Sequence, residues 1–251
     1  MGYFRQVHLV SVVTKGVGYS ISTTQEPHHM SYPYELLRVP GSEAVRTLSE
    51  LQAKGSGTPI ILGNEESFER VAECMEYNAG STINELVDAA RNIDVFQWLA
   101  AREAADPENY EIEPAAWPEG EVSPNTTLVA HCDILKGQPY PEVVLTIVPT
   151  TESWTVPCFL RIGGWNEVPY AEEHAALFKY WSEQFGATVA CIANDIIEMT
   201  VARPVSTRDE ALALARQQFI YCSDIVHQGV GSVEALAATL LGATVWYFWW
   251  D

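Results

Sequence analysis

Positive charge is what this chain has least of. Its 251 residues hold 14 Lys and Arg against 33 Asp and Glu, a formal net charge of −19. A field of that sign repels nucleic-acid backbones and anionic membrane surfaces, so neither is expected as a partner. It attracts cations and basic proteins. Cysteine pairs are missing too. Cys74, Cys132, Cys158, Cys191 and Cys222 are odd in number and form no CxxC. That argues against a zinc ribbon or a thioredoxin-like site and fits a reducing compartment. Cys191, inside an apolar run, reads as a small buried hydrophobe. No apolar run approaches the roughly 20 residues that span a bilayer. The opening MGYFRQVHLVSVV lacks the apolar core and cleavage site of a signal peptide, and Gly2 lacks the Ser or Thr of a myristoylation motif. The expectation is a cytoplasmic protein. No Lys-Ser/Thr follows Gly55-Ser56-Gly57, so the phosphate cradle of a P-loop is absent.

What is present is the material of a globular core. Hydrophobic residues make up 47%, with eight Trp and eleven Tyr. A chain of this length buries enough apolar surface to need no disulfide or metal staple. Apolar runs at 7–13, 36–39, 58–62, 142–148, 159–162, 188–193, 196–201 and 245–250 read as strands. Residues 24–33 read as loop. Helix starts are marked by Ser42, by Asn64, by the capping boxes Thr82–Glu85 and Thr207–Glu210, and by Asp94, Pro169 and Ser232. Gly186 marks a stop. Asn194-Asp195 suit the tight turn of a hairpin. In the closing WYFWWD, Trp246, Phe248 and Trp250 share one strand face, and Tyr247 and Trp249 the other. The fold class expected is α+β, a mixed sheet flanked by helices.

Composition changes between Glu103 and Leu135. This stretch holds eight acids, four Pro and no Lys or Arg. Proline at that density excludes a continuous helix. The organisation expected is an N-terminal α/β region over 1–102, an acidic linker or loop over 103–135, and a more regular α+β domain over 136–251.

That last region carries the phrases GGWNEVP (163–169), WSEQFGA (181–187), NDIIE (194–198), EALALARQQFIYCSDIVHQG (210–229) and WYFWWD (246–251). Together they resemble a bacterial family, domain of unknown function family 4253. RVPGSEA (38–44) and TPIILG (58–63) look like the leading half of its longer members. The resemblance runs from about residue 33 onward. The chain departs from the pattern at Val168, where a Cys is expected, and at Val205, where a second Pro is expected. The resemblance implies a fold and a bacterial source. It implies no activity.

Several clusters are candidates for chemistry. Trp165, Asn166 and Glu167 follow a Gly-Gly and precede a helix, a place where polar groups can meet a ligand. With Asp195, Glu198 and Asp224 they form the candidate ligand site. The bland reading makes Asp195 a turn former, Glu198 a solvated strand residue, Asp224 a cap for the turn that follows it, and Trp165 a packing residue. Cys222, Asp224 and His227, with His131, Cys132 and Asp133, have ligand chemistry but no defined fourth partner, so no metal is expected. Cys222 with His174 or His227 is a chemically allowed nucleophile pair, yet nothing local marks an oxyanion hole. No catalytic residue and no cofactor are assigned.

Binding is therefore the expected role. An acidic surface can cover the basic face of a nuclease-type toxin and gain a fast, electrostatically steered on-rate. The contact expected is Glu103, Asp106, Glu108, Tyr110, Glu111, Glu113, Trp117, Glu119 and Glu121, and the function an immunity protein that neutralises a bacterial toxin. The alternative is an enzyme of undetermined class around the GGWNE loop.

Overall fold

A computed structural model describes residues 32–120 and 122–251. The strand expected at 7–13, most of the loop at 24–33, and Glu121 lie outside the described residues.

The chain enters on β1 (Glu35–Val39). A 3-10 turn at Gly41–Glu43 follows, and α1 (Ala44–Lys54) starts from it. Ser42 is thus inside the turn and caps nothing. The cause is Gly41, which donates its N–H to Tyr140 O at 3.0 Å. A Cβ there would stand 2.5 Å from that oxygen, so only glycine permits the close approach that winds the chain tightly here. β2 (Thr58–Gly63) is buried at every position. The Asn64 side chain accepts from Ser67 N and opens α2 (Glu65–Tyr77). The Thr82–Glu85 capping box opens α3 (Ile83–Asn92). Asp94 accepts from Phe96 N and Gln97 N and opens α4 (Val95–Ala105). Each such cap satisfies N–H groups that the helix itself leaves unpaired, worth about 1 kcal/mol.

The acidic stretch begins as helix, in the end of α4 and in α5 (Pro107–Tyr110). Its remaining described residues hold no helix or strand before the small hairpin of β3 (Cys132–Asp133) and β4 (Gln138–Pro139). β5 (Val143–Val148) is followed by α6 (Val156–Leu160), where a strand over 159–162 is expected from sequence. Pro157 sits in the first turn of α6, and Arg161 closes it in the left-handed region at φ 47°. Proline is compatible with a helix start, and that outweighs the strand-like composition of a very short apolar run. α7 (Ala171–Phe185) stops at Gly186, φ 63°. β6 (Ala187–Ile192) and β7 (Ile196–Val201) form the expected hairpin. α8 (Arg208–Tyr221) starts at the Thr207–Glu210 box, a π-helical turn spans Ile225–Val230, and α9 (Val233–Leu240) starts at Ser232. β8 (Val245–Trp249) ends the sheet.

The sheet order is β1-β5-β2-β6-β7-β8. β2 and β6 run parallel and the other neighbours antiparallel, so the sheet is mixed, it is flanked by helices, and the fold is α+β. β5 lies between β1 and β2. Strands from before and after the acidic stretch therefore interleave in one sheet, and residues 32–251 form one compact unit.

Each face of the sheet has its own core. On one, Ala44, Leu48 and Leu51 of α1, with Leu128 and Ala130 of the long loop, cover Ile61, Leu145 and Cys191. On the other, helices bury Ile60, Leu62, Met199 and the aromatic face of β8. Trp181 of α7 stacks on Phe248 at 5.6 Å with the rings 1° apart, and meets Trp246 edge-on at 5.7 Å. Trp246, Phe248 and Trp250 are each at most 2% exposed, while Tyr247 and Trp249 are half-buried. Strand alternation thus assigns the rings to faces as the sequence implies.

Candidate functional site

The segments that read as family phrases meet at the end of β8. Asp195, in the β6–β7 turn, accepts the indole N–H of Trp249 at 3.1 Å through Oδ2, and its carbonyl accepts Trp250 N at 3.1 Å. Asp224 accepts Asp251 N at 3.0 Å. Asn166 donates from Nδ2 to Asp251 O at 3.0 Å. The Cys222 thiol donates to Trp249 O at 3.0 Å. Asp224 does not cap the following turn. Its other oxygen accepts from Gln228 Nε2 at 3.0 Å. Three segments distant in sequence thus clamp one strand end through hydrogen bonds.

The candidate ligand residues separate in space. Trp165 and Asp195 line one cavity of about 400 Å³, bounded by α2, the Gly163-Gly164 loop, the β6–β7 turn and Trp250. Asn166, at φ 45°, turns to Asp251. Glu167 turns to Arg102, a residue the sequence alone does not single out. Arg102 also donates to the carbonyls of Ile220 and Glu167 and lies 5.4 Å over the Trp98 ring, tying α4 to the GGWNE loop. The cavity walls are mainly apolar, with Val71, Ile162, Val168 and Ile197 among them. Val168, one of the departures from the family pattern, is a wall residue at 8% exposure. Cys74, Tyr77 and Trp250 also line it, and none carries a sequence signal for this role. Periodicity says which face of a helix is apolar, not which loop that face meets.

Glu198 is the largest correction. It is fully buried on the α1 side of the sheet, where a solvated residue is expected. Its Oε1 accepts Val129 N at 2.8 Å and its Oε2 accepts Ala130 N at 2.9 Å. No cation accompanies it among the described residues. Desolvation pushes its pKa from 4.5 up to about 7, against the two N–H bonds that favour the anion. The carboxylate staples the long loop to the sheet and faces away from the cavity's alternate strand residue, Ile197.

The nucleophile and metal readings lose their geometry. Cys222 is fully buried, and desolvation pushes its thiol up to about 12. His227 Nε2 is 2.7 Å from Asn109 O, and His174 Nδ1 is 2.7 Å from the Tyr221 hydroxyl. Neither imidazole addresses Cys222. Burial also raises the Cys74 thiol, which donates weakly to the carbonyls of Arg161 and Gly163. A thiol so held is a poor nucleophile. Among the described residues no group of three or more His, Cys, Asp or Glu is placed to hold a metal ion. No helix among them is long and apolar enough to cross a membrane.

The acidic stretch is pinned to the helical layer through its aromatics. Tyr110 is 1% exposed and meets Phe219 edge-on at 5.7 Å. Its carbonyl accepts Arg216 Nη1 at 3.0 Å. Trp117 is half-buried beneath the Arg208 guanidinium, 4.6 Å from the ring centre. Glu103 pairs with Arg216. Tyr110, at the end of α5, and Trp117, in the segment after it, are therefore docked anchors and not the exposed contacts expected. Asp106, Glu108, Glu111, Glu113 and Glu119 are exposed, and none forms an ion pair among the described residues.

No curated protein and no solved structure matches this chain. Residues 144–251 match a family model described as Domain of unknown function (DUF4253), and that span contains every residue of the strand-end clamp. From within β5 to Asp251, the protein is thus similar to the DUF4253 family.

Proposed function

We propose that the protein is an acidic binding module that captures a basic protein partner in the cytoplasm, as an immunity protein does when it neutralises a nuclease-type bacterial toxin. The observation that supports it is the pinned strap. Five exposed carboxylates between Asp106 and Glu119 stand on backbone held by Tyr110 and Trp117. A preformed acidic edge loses little conformational entropy on docking, and like charges held apart by the protein gain most from a cationic partner. The net charge of −19 adds long-range steering. The free state of all five cysteines agrees with a reducing compartment.

The enzyme alternative has less support. Of its six candidate residues only Trp165 and Asp195 line a common cavity.

Affinity capture against the products of the genes flanking its own tests the reading. At about 50 mM salt a basic protein is retained, and at about 500 mM it is released. A variant with Glu108, Glu111, Glu113 and Glu119 changed to Gln loses it at low salt. Capture that ignores both salt and this variant refutes the proposal, as does the absence of any basic partner.

A further inference from the structure

The cavity beside the strand-end clamp has a chemistry separate from the acidic strap. It lies at the carboxyl end of β6, against α2, the helix that leaves the carboxyl end of the parallel neighbour β2. Parallel strands place ligand crevices outside such ends. Its volume, about 400 Å³, falls in the range of small-molecule sites, roughly 300–1,000 Å³. Close-packed interiors leave few voids larger than a water molecule, so packing alone does not account for it. The walls divide into a floor and a rim. Val71, Ile162, Val168, Ile192, Ile197 and Trp250 form the floor, each at most 8% exposed. All six belong to the core that holds Phe248. Arg70, Glu73, Tyr77 and Asn194 form the rim, exposed to solvent. The wall between them is preformed. Asn78, at the end of α2, donates to the carbonyls of Arg161 and Gly163 at 2.8 and 3.0 Å, and Arg161 donates back to Asn78 O at 3.3 Å. Arg161 and Asn166, the two non-glycine residues at positive φ among the described residues, flank Gly163-Gly164. Backbone held in such conformations collects at ligand sites.

We propose that this cavity binds a small uncharged molecule with an aromatic or hydrocarbon body. Apolar cavities stay dry and accept apolar guests. A charged ligand is excluded from the floor, because a buried charge needs a partner and the floor holds no charged residue. On the rim, Arg70 and Glu73 pair with each other at 3.1 Å. Asp195 gives its Oδ2 to the indole of Trp249, a ring on the opposite face of β8 from Phe248 and hence from the floor. The net charge of −19 opposes an anion further.

The neutral dye N-phenyl-naphthylamine is the probe, with its sulfonated analogue as the anionic control. Titration gives a saturable rise in dye fluorescence, and the sulfonated dye binds at least tenfold more weakly. Ethylbenzene displaces the dye. Phenethylammonium and phenylacetate, of similar body but charged, compete at least tenfold more weakly at neutral pH. A neutral aryl diazirine, photolysed on the folded protein, labels segments 71–77 and 162–168. Val168→Phe fills the floor and weakens the dye at least fivefold, while Val168→Ala retains it. Thermal melting reports the folding of each variant, and if Val168→Phe is unfolded the labelling result alone decides. The proposal fails if dye binding does not saturate, if the charged analogues compete as well as ethylbenzene, if the label falls outside both segments, or if a folded Val168→Phe leaves the affinity within twofold. The fourfold Gln variant of the strap retains dye binding, so this proposal and the partner-binding one stand or fall separately.

Discussion

His174 Nδ1 lies 2.7 Å from the hydroxyl of Tyr221, and both residues are fully buried. The pair joins α7 to α8 under the end of β8, with Trp250 edge-on to both rings at 5.9 and 5.3 Å. Desolvation, with the nearby Arg102 charge, holds the imidazole down to about 3 from 6.5, so it is neutral in the folded state. The unfolded chain takes up a proton below about 6.5 that the folded chain refuses. Stability from this group is therefore present above about 6.5 and is lost as pH falls toward 3, by an amount on the order of 5 kcal/mol. Proton-detected NMR of the His174 ring shows no titration between pH 5 and 8. A midpoint near 6.5 there contradicts the assignment.

Glu198 works in the opposite direction. Its folded pKa, about 7, stands above the 4.5 of an exposed glutamate. The folded state holds a proton that the unfolded state releases, so this contribution is intact below about 4.5 and lost as pH rises to 7, on the order of 3 kcal/mol. His174 and Glu198 therefore offset one another between about 4.5 and 6.5. Urea midpoints measured across that window are flatter for the wild type than for Glu198→Gln, whose stability falls more steeply on acidification. Equal slopes for the two count against the buried titration.

Glu198→Ala also strips Val129 N–H and Ala130 N–H of their acceptors. Leaving these donors unpaired, Ala130 buried and Val129 half-buried, costs about 2–5 kcal/mol in all. Hydrogen exchange at Val129 and Ala130 accelerates by orders of magnitude, and protease cuts appear first between 111 and 131. Unchanged exchange at both amides shows that the loop is held by other means.

Tyr110→Ala removes an aromatic anchor at 1% exposure and costs about 3–5 kcal/mol. Glu113→Gln, on the same strap but exposed, changes stability by less than about 0.5 kcal/mol. The melting difference between these two variants measures how firmly the strap is docked. Similar small losses for both show a strap that contributes little to the fold.

Gly163 is irreplaceable in this geometry. Its φ is +96°, and a Cβ would stand 1.7 Å from Pro169 O and 3.2 Å from His174 Nε2. Gly163→Ala destabilises by about 3 kcal/mol or more, through strain at positive φ and displacement of the loop that carries Trp165. A melting temperature within a few degrees of wild type contradicts the close approach.

Short-range signals account for most of what was legible before the fold. The Thr82–Glu85 and Thr207–Glu210 boxes act over three residues, as do the caps at Asn64 and Ser232. The β6–β7 hairpin and the alternation along β8 are equally local. Readings failed where a distant residue overrode local preference. Ser42 lost its cap because Tyr140 draws Gly41 into a tight turn. The cavity was half legible, since Trp165 and Asp195 sit in loops with turn chemistry, while Cys74, Tyr77 and Trp250 joined it only through packing.

By itself, then, the sequence determined where several of the longer helices begin, at Asn64, Thr82, Asp94, Thr207 and Ser232, the α+β class, the excess of negative charge and its concentration between Glu103 and Leu135. These follow from composition and from hydrogen bonds that close within a few residues. Only the tertiary structure decided what each charge and ring is used for. Glu198 meets its partners 69 and 68 residues away, and Arg216 meets Tyr110 across 106. No local periodicity encodes such pairings. They are set by which faces bury together, and that made one acid a buried staple, two aromatics internal anchors, and the remaining strap carboxylates an exposed edge.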